Sequence, residues 1–430
     1  MSSRRTLSSI LLAAALLMLV CLSAGAAPKL IRLTFYYPVG VSGPLATVIN
    51  KYVEEFNTAN PDIEVIPVYT GDYDPTMQKV QTAVMGGNPP DVFIVEISEL
   101  PTLLAMNACE PLDKWVSKEY LADFFPAFLQ NSYSEDGRIW GIPFQRSTPV
   151  FYWNKAAFKE AGLDPNVPPR NWRELEDYAK KLVKADAATG EVKRWGVTIS
   201  GGWNDWLFEA FVIQNGSSLL DYINHKVTLN SPEAVEALEF WVRLTQELKV
   251  APPHSTWAST PTDFVSGRTA MLYHSTGILT FVRTSAPFEY GVAFMPAKKS
   301  YGAAVGGGNL HIARGIPDER KQAAWKFVQF LTTPEMAARW SRDSGYVATR
   351  QSSYELTEMK QHLAKYPEYA VAREQLAYAR GKMMSPVFQK IREIVKTALD
   401  EATGGKITPQ KSLERAQQQA ERLLGNWVVK

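Results

Sequence analysis

Residues 30–96 alternate apolar strands with amphipathic helices, and this alternation limits the folds that the chain can adopt. The segments Leu30 to Tyr37, Ile63 to Tyr69 and Asp91 to Val95 have the β-branched and apolar residues of buried strands. Between the first two strands, apolar residues recur on one helical face at positions 45, 48, 49, 52 and 56. The order strand, helix, strand, helix, strand predicts an α/β fold with mostly parallel sheets flanked by helices.

A polar run between two apolar strands marks a place where the chain can leave this sheet. Ile142 to Phe144 is typical of a buried strand, Gln145 to Thr148 is polar, and a second apolar strand begins at Val150. The run can connect two strands of one sheet, or it can cross between two lobes with its polar groups facing a shared cleft. A second α/β region follows at residues 172–313, and the tail from Tyr354 onward is almost wholly helical. These later segments favour the crossing.

Residues 1–26 have the pattern of a secretory signal peptide. Two arginines at positions 4 and 5 precede an apolar run at 10–22, and small residues at 24–26 form a cleavage site. A membrane-spanning helix needs a longer apolar run than this. Cys21 follows a valine, which is too large for a good lipoprotein site, so a lipid anchor is disfavoured. We therefore expect export to the periplasm.

Charge and aromatic content indicate the kind of partner. Without the signal peptide the chain has 44 basic and 44 acidic residues, which gives no reason to expect binding to nucleic acid or to an anionic membrane. Cys109 is then the remaining cysteine, so no disulfide framework is expected. The 12 Trp and 18 Tyr mostly serve core packing, but some of them suit a cleft for a hydroxylated or ring-bearing ligand.

The motifs of enzymes are missing from the sequence. None of the five histidines has metal-ligand spacing to another His, Cys or acid. Gly306-Gly307-Gly308 does not complete a dinucleotide-binding motif, because residue 311 is His, and the Gly-Gly-Lys at 404–406 is followed by Ile407 rather than Ser or Thr. The sequence therefore predicts a binding protein with no catalytic residues, no cofactor and no metal.

Several segments together resemble the family 1 solute-binding proteins of bacterial ABC importers. They are EFNTANPDIEVIPVYTGDY at 55–73, GGNPPDV at 86–92, YWNKAAF at 152–158, GRTAM at 267–271, AWKFVQFL at 324–331 and Gly345-Tyr346. The resemblance covers essentially the whole mature chain. It implies a type II periplasmic-binding-protein fold, in which two α/β lobes are joined by several crossings and close on a ligand.

The resemblance also implies the domain organisation and the partners. We expect the N-terminal lobe to comprise residues 28–148 and 302–346, and the C-terminal lobe to comprise 149–301 and 347–430. The expected partners are a small-molecule ligand, a phosphorylated polyol or a sugar, and the permease subunits in the inner membrane. The chain is expected to be a monomer.

Within that family the chain resembles the members that bind glycerol-3-phosphate, and this resemblance implies eight ligand-binding residues. The resemblance implies that Glu96 accepts hydrogen bonds from glycerol hydroxyls, and that Arg392, Tyr346 and Ser275 face the phosphate. The complete set is Tyr69, Glu96, Ser147, Trp203, Ser275, Gly307, Tyr346 and Arg392.

Six of these eight residues also have a purely structural explanation. Tyr69 and Trp203 can be core residues, Ser275 can cap a helix, and the glycines can form a plain turn. A carboxylate at the end of a buried strand needs a partner, which for Glu96 can be a ligand hydroxyl or a Lys or Arg. Arg392 lies at the border of the apolar face of its helix, where its planar fork can bind a phosphate or form an internal ion pair with an acid across the cleft.

Three departures from the glycerol-3-phosphate-binding pattern leave the ligand open. They are Tyr36-Tyr37, Gln145-Arg146 and Val347-Ala348-Thr349. The predicted function is an extracytoplasmic receptor of an ABC importer that binds glycerol-3-phosphate or a related glycerophosphodiester in the interlobe cleft and delivers it to the permease. A sugar or oligosaccharide receptor of the same family is the alternative. A secreted phosphodiesterase is the alternative from a different class.

Overall fold

The computed structural model describes residues 29–221 and 226–425. The predicted signal peptide and Cys21 lie outside the described residues. Within these two ranges no helix combines the length and the apolar character that crossing a membrane requires. The strands are β1 (Ile31–Tyr37), β2 (Ile63–Tyr69), β3 (Val92–Glu96), β4 (Ile142–Ser147), β5 (Pro149–Asn154), β6 (Lys184–Ala185), β7 (Val192–Arg194), β8 (Thr198–Ile199), β9 (Leu220–Asp221), β10 (Lys226–Val227), β11 (Met271–Ser275), β12 (Tyr290–Ala293), β13 (Ala303–Ala304), β14 (Gly306–Ile312) and β15 (Ala379–Arg380).

Helices cover the sheets and make up most of the C-terminal region. The α-helices are Leu45–Ala59, Tyr73–Met85, Leu100–Ala105, Lys118–Ala122, Pro126–Leu129, Lys155–Glu160, Trp172–Leu182, Asn204–Gln214, Pro232–Val242, Thr260–Val265, Leu279–Ser285, Asp318–Leu331, Pro334–Ser344, Thr357–Lys365, Val371–Gln375, Phe388–Thr403 and Pro409–Leu424. The last two confirm the helical C-terminal tail.

Two mixed sheets form the centre of the fold. The first has the order β2-β1-β3-β14-β4, and the second has the order β12-β5-β11-β8. β1 pairs parallel with β2 and β3, and β11 pairs parallel with β8. The remaining pairings, of β14 with β3 and β4 and of β5 with β11 and β12, are antiparallel. The predicted α/β class is confirmed, but the strand directions are more mixed than the predicted mostly parallel arrangement.

The antiparallel strands have a topological cause. β5 and β14 both follow a crossing between the lobes. Each therefore begins at the end of its sheet that faces the cleft, instead of returning to the far end through a helix as in a βαβ unit. The interpretation of residues 142–155 as a crossing is confirmed, because β4 pairs in the first sheet, β5 pairs in the second, and Thr148 alone lies between them.

Each sheet has its own hydrophobic core, and a third cluster joins them. Phe35 and Trp340 belong to the core of the first sheet, whereas Phe211 and Ile391 belong to that of the second. The third cluster contains apolar residues of the crossings themselves, namely Val150, Val305 and Val347. The fold therefore consists of two α/β lobes, and the exact boundaries given above stay a prediction.

Candidate ligand-binding site

A pocket lies between the two sheets. Its position follows from the topology, because β3, β4 and β11 end at the cleft and β14 begins there. Six of the eight residues predicted from the resemblance line this pocket, namely Glu96, Ser147, Trp203, Ser275, Gly307 and Tyr346. The structure thus brings together residues from both halves of the chain that are up to 250 positions apart.

Glu96 is buried and is held by two different donors. Its Oε2 accepts from the backbone N–H of Ser98 at 2.7 Å, and its Oε1 lies 3.3 Å from Nζ of Lys382. The Glu96 and Lys382 side chains are 4% and 2% exposed, so a desolvated ion pair forms one wall of the pocket. The ion-pair explanation of Glu96 therefore describes this state of the protein, and its contact with ligand hydroxyls stays a prediction.

Lys382 is a lining residue that the sequence reasoning missed. Among the described residues that line the pocket it is the one with a cationic side chain. Its Nζ also lies 3.8 Å from Oδ2 of Asp205 and 5.0 Å from the ring centroid of Trp203. Lys382 lies in the irregular segment before the helix Phe388–Thr403, where no periodicity indicates the direction of a side chain.

Arg392 is buried behind Trp203 and does not itself line the pocket. Its Nη1 donates to both carboxylate oxygens of Asp74 at 2.7 and 2.6 Å, and its Nε donates to Asp205 at 3.2 Å. The guanidinium carbon lies 3.6 Å from the ring centroid of Trp203. Burial lowers the pKa of Arg392, but the two carboxylates outweigh burial and hold that pKa above its ordinary value. The ion pair with an acid across the cleft, the alternative raised above, describes this structure, and a contact with phosphate stays a prediction.

Tyr69 lies outside the pocket, and Tyr73 lines it. Tyr69 is at the end of β2, its side chain is 52% exposed, and its ring centroid is 5.9 Å from that of Tyr37. Tyr73, the first residue of the following helix, is buried, and its hydroxyl donates to Oε1 of Gln145 at 2.9 Å. Burial raises the pKa of Tyr73 and of Tyr346, so both phenols remain protonated donors. A ligand contact of Tyr69 stays a prediction.

Three indoles line the pocket, and two of them reach across the cleft. Trp257 donates to the carbonyl of Gly40 at 2.7 Å, and Trp203 donates to Oδ2 of Asp72 at 3.3 Å. The third, Trp206, donates to the carbonyl of Ala304 in a crossing at 3.1 Å. These hydrogen bonds connect the two lobes across the cleft.

Two features explain the residue types at the crossings. Ser275 caps a short 3₁₀ helix, because its Oγ accepts from the N–H of Gly277 at 3.0 Å. The cap is therefore a sufficient structural reason for this serine. Gly306 and Gly307 pair with Ser147 and Arg146 of β4, and a Cβ on Gly306 would lie 2.7 Å from the Trp206 ring. Gly306 thus admits the indole, and a contact of Gly307 with the ligand stays a prediction.

Glu209 next to the pocket predicts a specific pH dependence. It is 5% exposed, and its Oε1 accepts from the N–H of Met383 at 3.0 Å. Burial raises the pKa of Glu209 to about 7, although Lys382 opposes this. Because the pKa of Glu209 is higher in the folded than in the unfolded state, the fold is more stable when Glu209 is protonated. This contribution to stability is present below pH 4.5 and is lost as the pH rises to about 7. Over that range we expect the wild type to lose on the order of 3 kcal/mol of unfolding free energy, and we expect Glu209→Gln to abolish this loss.

Denaturant titrations at pH 5 and pH 8 measure this difference. Burial also raises the pKa of Glu99 to about 7, so the stability of both the wild type and the variant still falls with pH. The readout is therefore the difference between the two falls. Glu239→Gln, on an exposed helix position, is the matched control. A Glu209→Gln protein whose stability falls with pH as steeply as that of the wild type contradicts the expectation.

The arrangement of two lobes around a lined pocket defines the class of protein: a receptor that encloses a small molecule. Residues 51–370 match the family described as bacterial extracellular solute-binding protein, and the chain belongs to this family. It is therefore a solute-binding receptor of an ABC importer. Within residues 29–221 and 226–425, no three His, Cys, Asp or Glu side chains are grouped so that they could hold a metal ion.

Individual relatives refine the comparison. The chain is 31% identical over 408 residues to the sn-glycerol-3-phosphate-binding periplasmic protein UgpB of Salmonella typhimurium, covering 89% of this chain and 91% of the relative. UgpB of Escherichia coli K12 has the same identity and coverage. The crystal structure of UgpB from Mycobacterium tuberculosis in complex with glycerophosphocholine has a TM-score of 0.81 and 26% identity, covering 93% of this chain and 99% of that one. Maltose-bound MalE3 of T. maritima has a TM-score of 0.80 at 23% identity, covers 92% of this chain and 100% of its own, and shares the fold.

Proposed function

We propose that this chain binds glycerol-3-phosphate or a related glycerophosphodiester in the pocket between its lobes and delivers it to the permease of an ABC importer. One observation carries the proposal: six residues expected from the glycerol-3-phosphate-binding pattern converge on a single pocket that also contains a buried lysine. The relatives named for glycerol-3-phosphate and glycerophosphocholine support it.

The pocket supplies the groups that a glycerol phosphate requires. Lys382 supplies positive charge, and the hydroxyls of Ser147, Ser275 and Tyr346 supply donors for phosphate oxygens. Glu96 supplies an acceptor for glycerol hydroxyls. Because all of these groups lie in a largely desolvated cleft, each correctly placed hydrogen bond discriminates strongly against ligands that lack its partner.

The same proposal includes location, partners and motion. A periplasmic location and binding without catalysis agree with relatives that are named as periplasmic binding proteins. An inner-membrane permease as partner and a monomeric state belong to the same proposal. We also propose that the lobes have the boundaries given above and close by a hinge at the crossings. Thr148-Pro149, Ala303-Ala304 and Val347-Ala348 are the hinge segments in this proposal, since the first two lie between strands of the two sheets and Val347 pairs with Arg146 beside the first of them.

A sugar is the second candidate ligand, and a specific observation favours it. The guanidinium of Arg392 already pairs with Asp74 and Asp205, so the side chain that is predicted to bind the phosphate has its contacts filled. Three tryptophans line the pocket, and indole faces suit the apolar face of a sugar ring. The two candidates therefore differ in whether a cation of the protein must contact the ligand.

A thermal-shift panel with glycerol-3-phosphate, glycerophosphocholine, maltose and trehalose tests the proposal. A ligand that binds only the native state raises the unfolding midpoint, and we expect the two phosphate esters to do so. At a concentration about 100 times the dissociation constant, the stabilisation is roughly 2.7 kcal/mol.

Two further measurements separate the alternatives. Lys382→Met should abolish the shift by phosphate esters and leave a shift by a sugar in place, because only the esters need the charge. A shift by maltose or trehalose alone rejects the proposal in favour of the sugar receptor. Release of free choline from glycerophosphocholine during incubation, with or without a divalent metal, would instead identify a phosphodiesterase.

A further inference from the structure

A carboxylate of one lobe holds the Arg392 guanidinium of the other lobe. Asp74 lies in the first turn of the helix Tyr73–Met85, which covers the first sheet, and Arg392 lies in the helix Phe388–Thr403, which packs in the second core. Nη1 of Arg392 donates to Oδ1 and Oδ2 of Asp74 at 2.7 and 2.6 Å. Asp74 therefore engages this cation as the anionic group of a ligand would.

The other partners of the guanidinium come from its own lobe, and the carboxylate among them is better buried than Asp74. Nε donates to Asp205 at 3.2 Å, and Nη2 donates to the carbonyl of Gly202 at 2.9 Å. The Arg392 and Asp205 side chains are 3% and 7% exposed, whereas that of Asp74 is 41% exposed. Exchange of Asp74 for another anion therefore leaves the remaining contacts in place, and Asp74 is itself readily solvated when it is released.

The ion pair is next to the ligand pocket. The guanidinium packs at 3.6 Å on the ring of Trp203, which lines the pocket. Trp203 also donates at 3.3 Å to Asp72, two residues before Asp74. The segment 72–74 thus contacts both the indole wall and the cation behind it, so a change at Asp74 acts directly on the wall of the pocket.

We propose that Asp74 is a built-in competitor of the ligand's anion. In the structure its carboxylate occupies the edge of Arg392 that a phosphate ester takes on binding. A neutral ligand leaves the ion pair in place, whereas the anionic phosphate of a phosphate ester displaces Asp74, so the pair makes recognition depend on ligand charge. The identity of the displacing ligand rests on the proposed function, and the ion pair across the cleft rests on the geometry alone.

Asp74→Asn tests the inference, because it keeps the side-chain shape and removes the charge. We expect glycerol-3-phosphate to bind roughly ten-fold more tightly in titration calorimetry, since the ligand no longer displaces a charged competitor. The ligand-free variant should also have a larger radius of gyration in small-angle scattering, because one ion pair between the lobes is lost. Asp74→Ala should give the same directions and removes any residual amide contact.

Asp318→Asn is the matched control, since Asp318 is 85% exposed on a helix of the first lobe, and it should change neither measurement. Asp74→Asn protein that binds glycerol-3-phosphate no more tightly than the wild type overturns the inference. Failure of the wild type to bind any phosphate ester rejects the proposed function instead. In that case the scattering decides: coinciding ligand-free curves overturn the inference, and an expanded variant upholds the ion pair as a competitor of some other anion.

Discussion

Arg392→Ala is expected to weaken phosphate-ester binding and to destabilise the protein at the same time. The substitution removes the cation that is proposed to contact the phosphate, and it leaves the buried carboxylate of Asp205 with Lys382, 3.8 Å away, in place of two cationic neighbours. Losing one partner of a desolvated charged pair costs about 2–5 kcal/mol in binding, and stranding a buried charge costs about 3–5 kcal/mol in stability. Titration calorimetry and denaturant unfolding measure the two effects.

A double variant separates the two effects. Asp205→Asn in the Arg392→Ala background removes the stranded charge, so we expect it to recover part of the stability and none of the phosphate-ester affinity. Arg392→Lys should lose affinity as well, because a point charge cannot match the contacts that the fork makes with Asp74, Asp205 and Gly202. Wild-type affinity in folded Arg392→Ala protein would remove the phosphate-ester proposal.

From sequence alone, Arg392→Ala would be expected to leave the fold intact, because the residue borders the apolar face of its helix. The structure changes this expectation. Arg392 pairs with acids that lie 318 and 187 positions away in the chain. Local periodicity indicates on which face of a helix a residue lies, but it contains no information about which distant carboxylate meets that face. The partners therefore became visible only with the tertiary structure.

The fold itself was largely predictable. Strand–helix alternation predicted the first sheet, and a polar run before a proline predicted the crossing at Thr148. The strand directions were not predictable to the same degree, because a strand that follows a crossing enters its sheet from the opposite edge. β5 and β14 have ordinary strand sequences, and their antiparallel pairing depends on the route of the chain and not on their residue types.

The pocket divides into residues that the resemblance supplied and residues that only geometry shows. Glu96 and Ser147 end strands, so sequence reasoning could place them at the cleft edge. Tyr69 also ends a strand, yet it lies outside the pocket, while Tyr73, the first residue of the next helix, lines it. Lys382 lies in an irregular segment with no pattern at all. Position along an element was therefore predictable, and side-chain direction at its end was not.

Gly307→Ala is the second substitution with a large expected effect, and its reason is steric. Gly307 has φ of +103°, where residues with a Cβ are strained. A Cβ there would also overlap the backbone carbonyl of Gln145 in β4. Because that obstacle is backbone, β14 must separate from β4 at the crossing. We expect a loss of unfolding free energy of about 4 kcal/mol or more, the range in which overpacking and a strained backbone combine.

Gly315→Ala separates the two causes of this loss. Gly315 also has a positive φ, of +85°, but a Cβ added there meets no atom within 4 Å. Gly315→Ala should therefore show the backbone strain alone, about 1–2 kcal/mol, while Gly307→Ala shows strain and overlap together. Since Gly307 also lines the pocket, its variant should lose ligand affinity even at temperatures where it is folded, and the Gly315 variant should keep it. Equal losses of stability in the two variants would show that the overlap with β4 relaxes without cost, and the crossing would then be more pliable than its packing indicates.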